Sequence, residues 1–345
     1  MIIQMTRNNL ILRGSFIESI LGIRCYNEKD LIYVMLNLPY HCNYRCLKCC
    51  NVLENYGGAN STAIFKETSF IQLLRAAKQI GIKTLVIAGE GEPLIDTNLR
   101  TIVELTSENG FLPYVFINGS LLSEDTIQFL AKHKTSLIIA LDSIQPDRYK
   151  RLTGGRGNLS TILANIANCR KVYAKLIEEH EGYRIGSLAI NMVVNTINCD
   201  EVEKVREFCA DDIVFVCNQP TRIGLAERNW SILYGETPGN TDVDSIVARM
   251  SALQQPLGTT SDGKWCAYMR NGISVSPDGQ VLTCAYSLET AGLYNDLNVD
   301  DLKATNREVM QSVEEFYGMH GHSRCILRHP KYKDFIAFLK NRRKK

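Results

Sequence analysis

Continuous apolar segments alternate along the chain with segments whose apolar residues recur at helical spacing. Apolar runs of four to eight residues bounded by turn residues are typical of strands that are buried on both faces. They occur at 31–38, 84–88, 114–117, 137–141, 188–194 and 213–216. Helical periodicity covers 68–80, 97–109, 123–133, 159–181 and 199–209. Six β/α units predict an α/β fold with a parallel sheet covered by helices. Six units rather than eight indicate an open (β/α)6 partial TIM barrel.

The β/α alternation stops after the sixth strand. Residues 273–282 alternate around Pro277-Asp278-Gly279, which predicts a β-hairpin, and a helix is expected at about 299–317. The predicted organisation is an N-terminal extension (1–30), a barrel core (31–220), a linker (221–262) and a small C-terminal β-hairpin/helix domain (263–345). Within the linker, one helix is expected near 243–253.

Composition narrows the classes of function. The chain has 345 residues and a net charge of +2, so no broad electrostatic field favours nucleic acid or an anionic membrane. No signal peptide or membrane-length apolar run is visible, and a cytoplasmic location is the expectation. The 12 cysteines of a cytoplasmic chain indicate metal binding rather than disulfides.

Three cysteines lie on one short loop after the first strand: Cys42, Cys46 and Cys49. Soft thiolates select iron–sulfur clusters, zinc or copper(I). A cubane cluster has four irons, so three cysteines would leave one iron open for chemistry. The alternative from another class is a zinc-binding interaction protein without catalysis, in which Cys50 or His41 supplies the fourth ligand.

The spacing of this loop, Cys42-Asn43-Tyr44-Arg45-Cys46-Leu47-Lys48-Cys49, resembles that of the radical S-adenosylmethionine (SAM) enzymes. The resemblance implies a [4Fe–4S] cluster whose open iron is chelated by SAM. It also implies that an electron, supplied by a donor such as flavodoxin or ferredoxin, cleaves SAM to methionine and a 5′-deoxyadenosyl radical. That radical takes a hydrogen atom from the substrate. The family usually carries an aromatic residue before the third cysteine, near the adenine, where this chain has Lys48.

Polar residues follow the successive strands, at the edge where such sheets carry their active sites. The segment Gly89-Glu90-Gly91-Glu92-Pro93 resembles the family's Gly-Gly-Glu-Pro motif, which holds the SAM ammonium. Residues 117–120 resemble its Thr-Asn-Gly segment, and residues 141–143 resemble the segment after the fourth strand. An arginine for the SAM carboxylate is expected in the Gly-rich loop 151–157. The predicted SAM-binding residues are Gly89, Glu90, Gly91, Glu92, Asn118, Asp142, Ser143, Arg151, Arg156 and Asn191.

The predicted C-terminal hairpin carries a cysteine near each outer end, Cys266 and Cys284, and Cys325 follows the later helix. This arrangement resembles the twitch form of the SPASM domain and implies an auxiliary [4Fe–4S] cluster. The twitch pattern has a further cysteine where this chain has Arg328. The fourth position is therefore open, or filled by His322, His329 or another cysteine. A zinc-stabilised hairpin or packed cysteines are the alternatives.

Cys217, at the end of the sixth strand, has three open roles. It is a hydrogen-atom donor to a substrate radical, a ligand of the auxiliary cluster, or a small buried residue. The first role predicts epimerisation, whereas electron loss to the auxiliary cluster predicts dehydrogenation or cross-linking. Substrates implied by the resemblance are peptides, amino-sugar antibiotics and other small metabolites. A ribosomal-peptide maturase is the first alternative, and a tRNA-modifying enzyme is less favoured by the near-neutral charge.

Overall fold

The structure is a computed structural model. It describes residues 9–15, 31–38, 41–50, 66–89, 91–235, 245, 271–275, 280–282, 290–293, 299–321, 326, 329 and 331–342. Statements below about what is absent apply to these ranges. Of the helix expected near 243–253 only Ser245, which is helical, lies within them, and the three cysteines of the C-terminal domain lie outside.

A nine-stranded sheet forms the core of the molecule. Its parallel strands are β2 (Tyr33–Leu38), β3 (Thr84–Gly89), β4 (Leu112–Ile117), β5 (Ser136–Ala140), β8 (Leu188–Val193), β9 (Val214–Asn218) and β10 (Gly272–Val275). Its antiparallel strands are β11 (Gln280–Leu282) and β12 (Thr290–Leu293). The strand order is β12-β11-β10-β2-β3-β4-β5-β8-β9. The six apolar runs of the barrel core are all strands here, in sequence order, which confirms the α/β partial barrel.

Helices connect the parallel strands and cover the sheet. They are α1 (Glu67–Ile80), α2 (Leu99–Glu108), α3 (Glu124–Lys132), α4 (Pro146–Leu152), α5 (Leu159–Tyr173), α6 (Val202–Cys209), α7 (Gly224–Arg228), α8 (Trp230–Tyr234), α9 (Val299–His320) and α10 (Tyr332–Arg342). Short 3-10 turns lie at Pro93–Ile95, Ala174–Leu176 and Cys199–Glu201. Ser123 caps α3, since its hydroxyl accepts a hydrogen bond from Thr126 N at 3.1 Å. In the described residues, no helix is long and apolar enough to cross a membrane.

The two faces of the barrel strands have different partners. Alternation along a strand sends successive side chains to opposite faces. On β9, Val214 and Val216 belong to a small apolar cluster with Leu10 and Leu12 of β1 (Leu10–Leu12). Phe215 instead belongs to the main core, which includes the buried residues of the helices. The face that carries Val216 is called the inner face below, and on β4 and β8 it carries Phe116 and Ala189.

A second, three-stranded sheet replaces the end of a predicted helix. The helix expected over 159–181 ends at Tyr173, and β6 (Glu178–His180) and β7 (Tyr183–Gly186) follow as an antiparallel pair. Gly182, with φ +83°, lies in the turn that joins them. Strand β1 pairs in parallel with β7, so a contact distant in sequence overrides local helical periodicity.

The C-terminal hairpin continues the barrel sheet. Strand β10 pairs in parallel with β2, and β11 and β12 follow as antiparallel neighbours. The pairing of Val275 with Val281 confirms the predicted hairpin. Added to Gly272, a Cβ atom would lie 1.9 Å from the Tyr33 ring, so glycine allows the close approach of β10 to β2.

Candidate active site

The cysteine loop follows β2 directly, at the carboxyl edge of the sheet. Cys42, Cys46 and Cys49 are partly buried thiols, and none is in a disulfide. Cys49 N donates to Cys46 O at 3.1 Å, and Tyr44 N lies 3.4 Å from Cys42 Sγ. Burial raises the pKa of Cys42 to about 11 and also raises that of Cys46. Thiolates at these positions therefore need a nearby positive charge, such as a metal centre.

The loop is held from one side by the residues that follow α4. Arg45 N donates to Thr153 O at 3.3 Å, and Leu47 N donates to Leu152 O at 2.9 Å. Gly154 has φ +68°, and a Cβ atom there would lie 2.2 Å from the Arg45 carbonyl oxygen. The Gly-rich segment 151–157 thus packs directly against the cysteine loop, because only glycine at position 154 permits this close backbone approach.

Helix α7 holds the loop from another side. Ala226 N donates to Cys49 O at 3.0 Å, and Asn229 Nδ2 donates to Leu47 O at 3.1 Å. Ala226 is fully buried, as is Leu233 of α8. The first part of the predicted linker is therefore helical and packed against the site. Its short helices give too weak a periodic signal to be found from sequence.

Glu92 is a buried carboxylate next to the cysteine loop. Its side chain is 3 % exposed, and its carboxylate accepts Asn118 N at 2.7 Å and Leu94 N at 3.2 Å. Glu92 N donates to His41 O at 2.7 Å, immediately before Cys42. Burial raises the pKa of Glu92 to about 7, although both N–H donors act to lower it. No described lysine or arginine is paired with this carboxylate. Gly89 ends β3 and Gly91 precedes Glu92, whereas Glu90 lies outside the described residues.

Three polar side chains form a closed ring of hydrogen bonds beside Cys42. Asn118 Nδ2 donates to Asn43 Oδ1 at 2.8 Å, Asn43 Nδ2 donates to Ser120 Oγ at 2.8 Å, and Ser120 Oγ donates to Asn118 Oδ1 at 2.7 Å. Asn118 Nδ2 also lies 4.0 Å from Cys42 Sγ. Asn118 therefore positions the cysteine loop. Sequence reasoning missed Asn43 and Ser120, although one follows Cys42 and the other lies two residues after Asn118.

Asp142 forms an ion pair with Lys48 of the cysteine loop. Lys48 Nζ lies 2.7 Å from Oδ1 and 2.6 Å from Oδ2 of the carboxylate. Val193 N also donates to Asp142 Oδ1, at 2.9 Å. Asn198 Nδ2 donates to the Asp142 carbonyl at 2.7 Å. The ends of β5 and β8 are thus joined to the cysteine loop through one carboxylate.

Ser143 has a different partner from the one its motif predicts. It is fully buried, and its hydroxyl donates to the Glu201 carboxylate, at 2.7 Å from Oε2. Ile144 N and Arg148 Nη1 donate to the same carboxylate, at 2.9 and 2.6 Å. Asp142 thus contacts the cysteine loop, whereas Ser143 contacts Glu201. The role of Ser143 in SAM binding stays a prediction.

The remaining predicted SAM residues lie in different surroundings. Arg156 Nη1 donates to Asn43 O at 3.5 Å and is beside the cysteine loop. Arg151 is exposed at the end of α4, and no described side-chain contact ties it to that loop. Asn191 Oδ1 accepts Asn218 Nδ2 at 2.6 Å, on the inner face of β8 and β9. Arg156 is therefore the better placed of the two arginines.

Cys217 lies on the outer face of β9. It belongs to the main core with Phe215, whereas its neighbours Val216 and Asn218 are on the inner face. The thiol is buried, with 6 % of the residue exposed, and burial raises its pKa to about 12. This position among packing residues favours the role of a small buried residue, one of the three that the sequence leaves open.

The described part of the C-terminal domain includes one predicted auxiliary ligand. His329 is 7 % exposed, its Nδ1 accepts Lys331 N at 3.1 Å, and its Nε2 lies 3.2 Å from Gly321 O. Both ring nitrogens are engaged in a local cap, and the role of His329 as an auxiliary ligand stays a prediction. Cys266, Cys284, Cys325 and His322 lie outside the described residues and stay predictions. In the described ranges, no three Cys, His, Asp or Glu side chains are grouped to hold a single metal ion.

Fold and site together define an α/β enzyme with a thiolate loop at the carboxyl edge of its sheet. The family model of the Radical SAM superfamily matches residues 36–209, half of the chain. The chain belongs to this superfamily. Radical SAM enzymes use a [4Fe–4S] cluster and SAM, so these are its cofactors. The donor set fits them: three soft thiolates suit the cluster, and an unpaired buried carboxylate suits an ammonium.

Named relatives are similar to this chain over about half of its length. The chain is 29% identical over 168 residues to GTP 3′,8-cyclase of Xanthomonas campestris pv. campestris (strain 8004), covering 47% of this chain and 45% of the relative. It is 30% identical over 159 residues to GTP 3′,8-cyclase of Lactiplantibacillus plantarum, covering 45% of this chain and 47% of the relative. The chain thus spans about half the length of the curated relatives it matches.

Solved structures share the fold. Native anSMEcpe with bound AdoMet has a TM-score of 0.59 at 13% identity, covering 90% of this chain and 98% of that one. Streptococcus suis SuiB bound to the precursor peptide SuiA has a TM-score of 0.54 at 15% identity, covering 75% and 60%. At these identities the likeness concerns the fold alone.

Proposed function

We propose that this chain removes a carbon-bound hydrogen atom from a small-molecule or peptide substrate and that the net reaction is dehydrogenation or cross-linking. When bound, the cluster and SAM supply a 5′-deoxyadenosyl radical. The observation that carries the proposal is Glu92, a buried carboxylate beside the cysteine loop with no described cationic partner. An uncompensated buried carboxylate is costly, and an ammonium group on a ligand would offset that cost.

The chain's own residues have separate parts in this proposal. Cys42, Cys46 and Cys49 hold the cluster. Glu92 binds the SAM ammonium, with its carboxylate aligned by the N–H groups of Asn118 and Leu94. Arg156, at the rim of the loop, is the candidate for the SAM carboxylate.

The inner face of β8 and β9 offers amide groups to a bound ligand. The pair Asn191 and Asn218 lies there, at the carboxyl end of both strands. Amides donate and accept hydrogen bonds, which suits the hydroxyls of a sugar or the backbone of a peptide. A nucleotide is compatible with the sequence relatives, whose name includes GTP, and a peptide with the bound SuiA of SuiB. A small molecule is the first candidate for the substrate. The second candidate is a peptide, in which case the enzyme would be a ribosomal-peptide maturase.

The position of Cys217 supports dehydrogenation over epimerisation. Epimerisation needs a hydrogen-atom donor that faces the substrate radical, and this thiol is on the outer face of β9. Dehydrogenation needs an electron acceptor, for which the auxiliary cluster predicted at Cys266, Cys284 and Cys325 is the candidate.

The test is formation of 5′-deoxyadenosine by anaerobically reconstituted protein with SAM and dithionite. The probes are GTP, an aminoglycoside and a synthetic peptide, each compared with a reaction without substrate. Stimulated release with one probe, and a product lighter by two hydrogens, supports the proposal. At a SAM concentration near the wild-type dissociation constant, Glu92→Gln should strongly reduce the stimulation, whereas the exposed Glu67→Gln should leave it unchanged. Deuterium uptake from D2O into an otherwise unchanged substrate, lost in Cys217→Ala, would show epimerisation instead.

A further inference from the structure

A buried lysine lies between the second and third cysteines of the loop. The side chains of Lys48 and Asp142 are only 11 % and 4 % exposed. Ammonium and carboxylate are in direct contact, at 2.6 and 2.7 Å. Exposed ion pairs contribute little to stability, but removal of one member of a buried pair leaves a charge with no compensation.

Lys48 stands at the position where the resembled enzymes carry an aromatic residue. It lies in the sequence between Cys46 and Cys49, and its ion pair holds the Asp142 carboxylate beside the same loop. A positive and a negative charge therefore lie together next to the loop that carries the three thiols.

We propose that the Lys48–Asp142 ion pair balances the charge at the cysteine loop and thereby sets the reduction potential of the bound cluster. Net charge around an iron–sulfur cluster is one determinant of its potential. Reduction adds negative charge, so a lone cation beside the cluster favours reduction and a lone anion opposes it. The inference rests on the cluster site proposed above.

The hydrogen bond from Val193 N to Asp142 gives the ion pair a positioning role as well. Because Val193 N donates to the same carboxylate, the pair fixes the cysteine loop to the ends of β5 and β8. A purely mechanical role and a charge-setting role therefore predict different results. Loss of either member would loosen the loop, but only the charge role gives shifts of opposite sign.

The experiment is an EPR-monitored redox titration of the reconstituted protein, with iron content measured on the same samples. Lys48→Met should lower the midpoint potential, and Asp142→Asn should raise it. Lys48→Met combined with Asp142→Asn should return it toward the wild-type value. Lys48→Arg, which keeps the charge, should behave like the wild type.

Shifts of the same sign in both single variants, or no shift in either, would overturn the inference. Where a single variant fails to load iron, recovery of iron content in the double variant supports charge balance, and no recovery overturns it. The same experiment also tests the proposed function, through cluster uptake by the wild-type protein. If wild-type protein takes up no cluster, that proposal fails; if it takes up a cluster but the potentials do not move, only the inference fails.

Discussion

Glu92 has a negative charge that its described surroundings do not neutralise. Two backbone N–H groups support the carboxylate, yet burial raises its pKa to about 7. A residue in this state is stabilised most by a ligand that brings a positive charge. The Gly-Glu-Pro motif in the sequence indicates this role, but only the structure shows that the carboxylate is buried.

Replacement of Glu92 should weaken SAM binding. Glu92→Gln keeps the shape and removes the charge, and we expect the affinity to fall about tenfold or more, as for a charged hydrogen bond worth about 1.5–3 kcal/mol. Equilibrium dialysis of cluster-loaded protein measures the dissociation constant. Unchanged affinity would remove Glu92 from the SAM site.

The same residue predicts a pH dependence. A ligand ammonium lowers the pKa of Glu92 from its value of about 7 in the free protein. Below that pKa the free carboxyl must lose a proton before SAM binds, so affinity should fall as the pH falls, by at most about tenfold per pH unit. Dialysis across this range should show the slope in wild-type protein and a smaller slope in Glu92→Gln. Equal slopes would contradict the assignment.

At the scale of elements, the cysteine loop depends on its packing against the Gly-rich segment at the end of α4. Gly154 and its neighbour Gly155 both have positive φ, at +68° and +81°. A Cβ atom on Gly154 would meet the Arg45 carbonyl at 2.2 Å, whereas one on Gly155 would meet nothing within 4 Å. Comparison of these two positions therefore distinguishes the effect of steric contact with the loop from the effect of backbone strain.

Alanine at these two positions should therefore differ in effect. Gly155→Ala carries only left-handed strain and should lower the free energy of unfolding by about 1 kcal/mol. Gly154→Ala adds a backbone clash and should lower it by about 3 kcal/mol or more, with reduced iron loading. Denaturant unfolding of the cluster-free protein and iron analysis of the loaded protein measure both effects. Equal losses in the two variants would show that the loop does not rest on Gly154.

Glu201 joins the end of β5 to the start of α6. Its carboxylate is fully buried and accepts hydrogen bonds from Arg148, Ser143 and Ile144. Glu201→Ala should therefore lower the free energy of unfolding by about 2–3 kcal/mol, because the buried Ser143 hydroxyl and Ile144 N–H lose their acceptor. Asp200 pairs with the same arginine but is 59 % exposed, so Asp200→Ala should cost less than about 1 kcal/mol. Similar losses in thermal or denaturant unfolding would contradict this view of Glu201.

At the scale of the whole molecule, periodicity predicted the elements that are locally determined. The continuous apolar strands of the barrel and the Ser123 cap are examples. The end of the helix expected over 159–181 was wrong, because β7 pairs with β1 from the far end of the chain. The sequence also does not predict side-chain direction at the ends of the strands. Ser143 and Cys217 both follow strand ends, and only the structure shows that Ser143 contacts Glu201 and that Cys217 packs in the main core.

The C-terminal cysteines predict a second cluster. Protein purified anaerobically should hold about eight irons, and the triple alanine variant of Cys266, Cys284 and Cys325 about four. The Cys42, Cys46 and Cys49 triple variant should also hold about four, and it should make no 5′-deoxyadenosine. About four irons in the wild type, all lost with the first loop, would leave one cluster and a C-terminal domain without metal.

The most direct test of the radical SAM centre is the yield of 5′-deoxyadenosine and methionine from SAM and dithionite, measured by chromatography under anaerobic conditions. We predict that wild-type protein forms both in equal amounts and that the Cys42→Ala, Cys46→Ala and Cys49→Ala triple variant forms neither. Zinc in place of iron, or wild-type protein that holds a cluster but leaves SAM intact with every probe, would contradict the account.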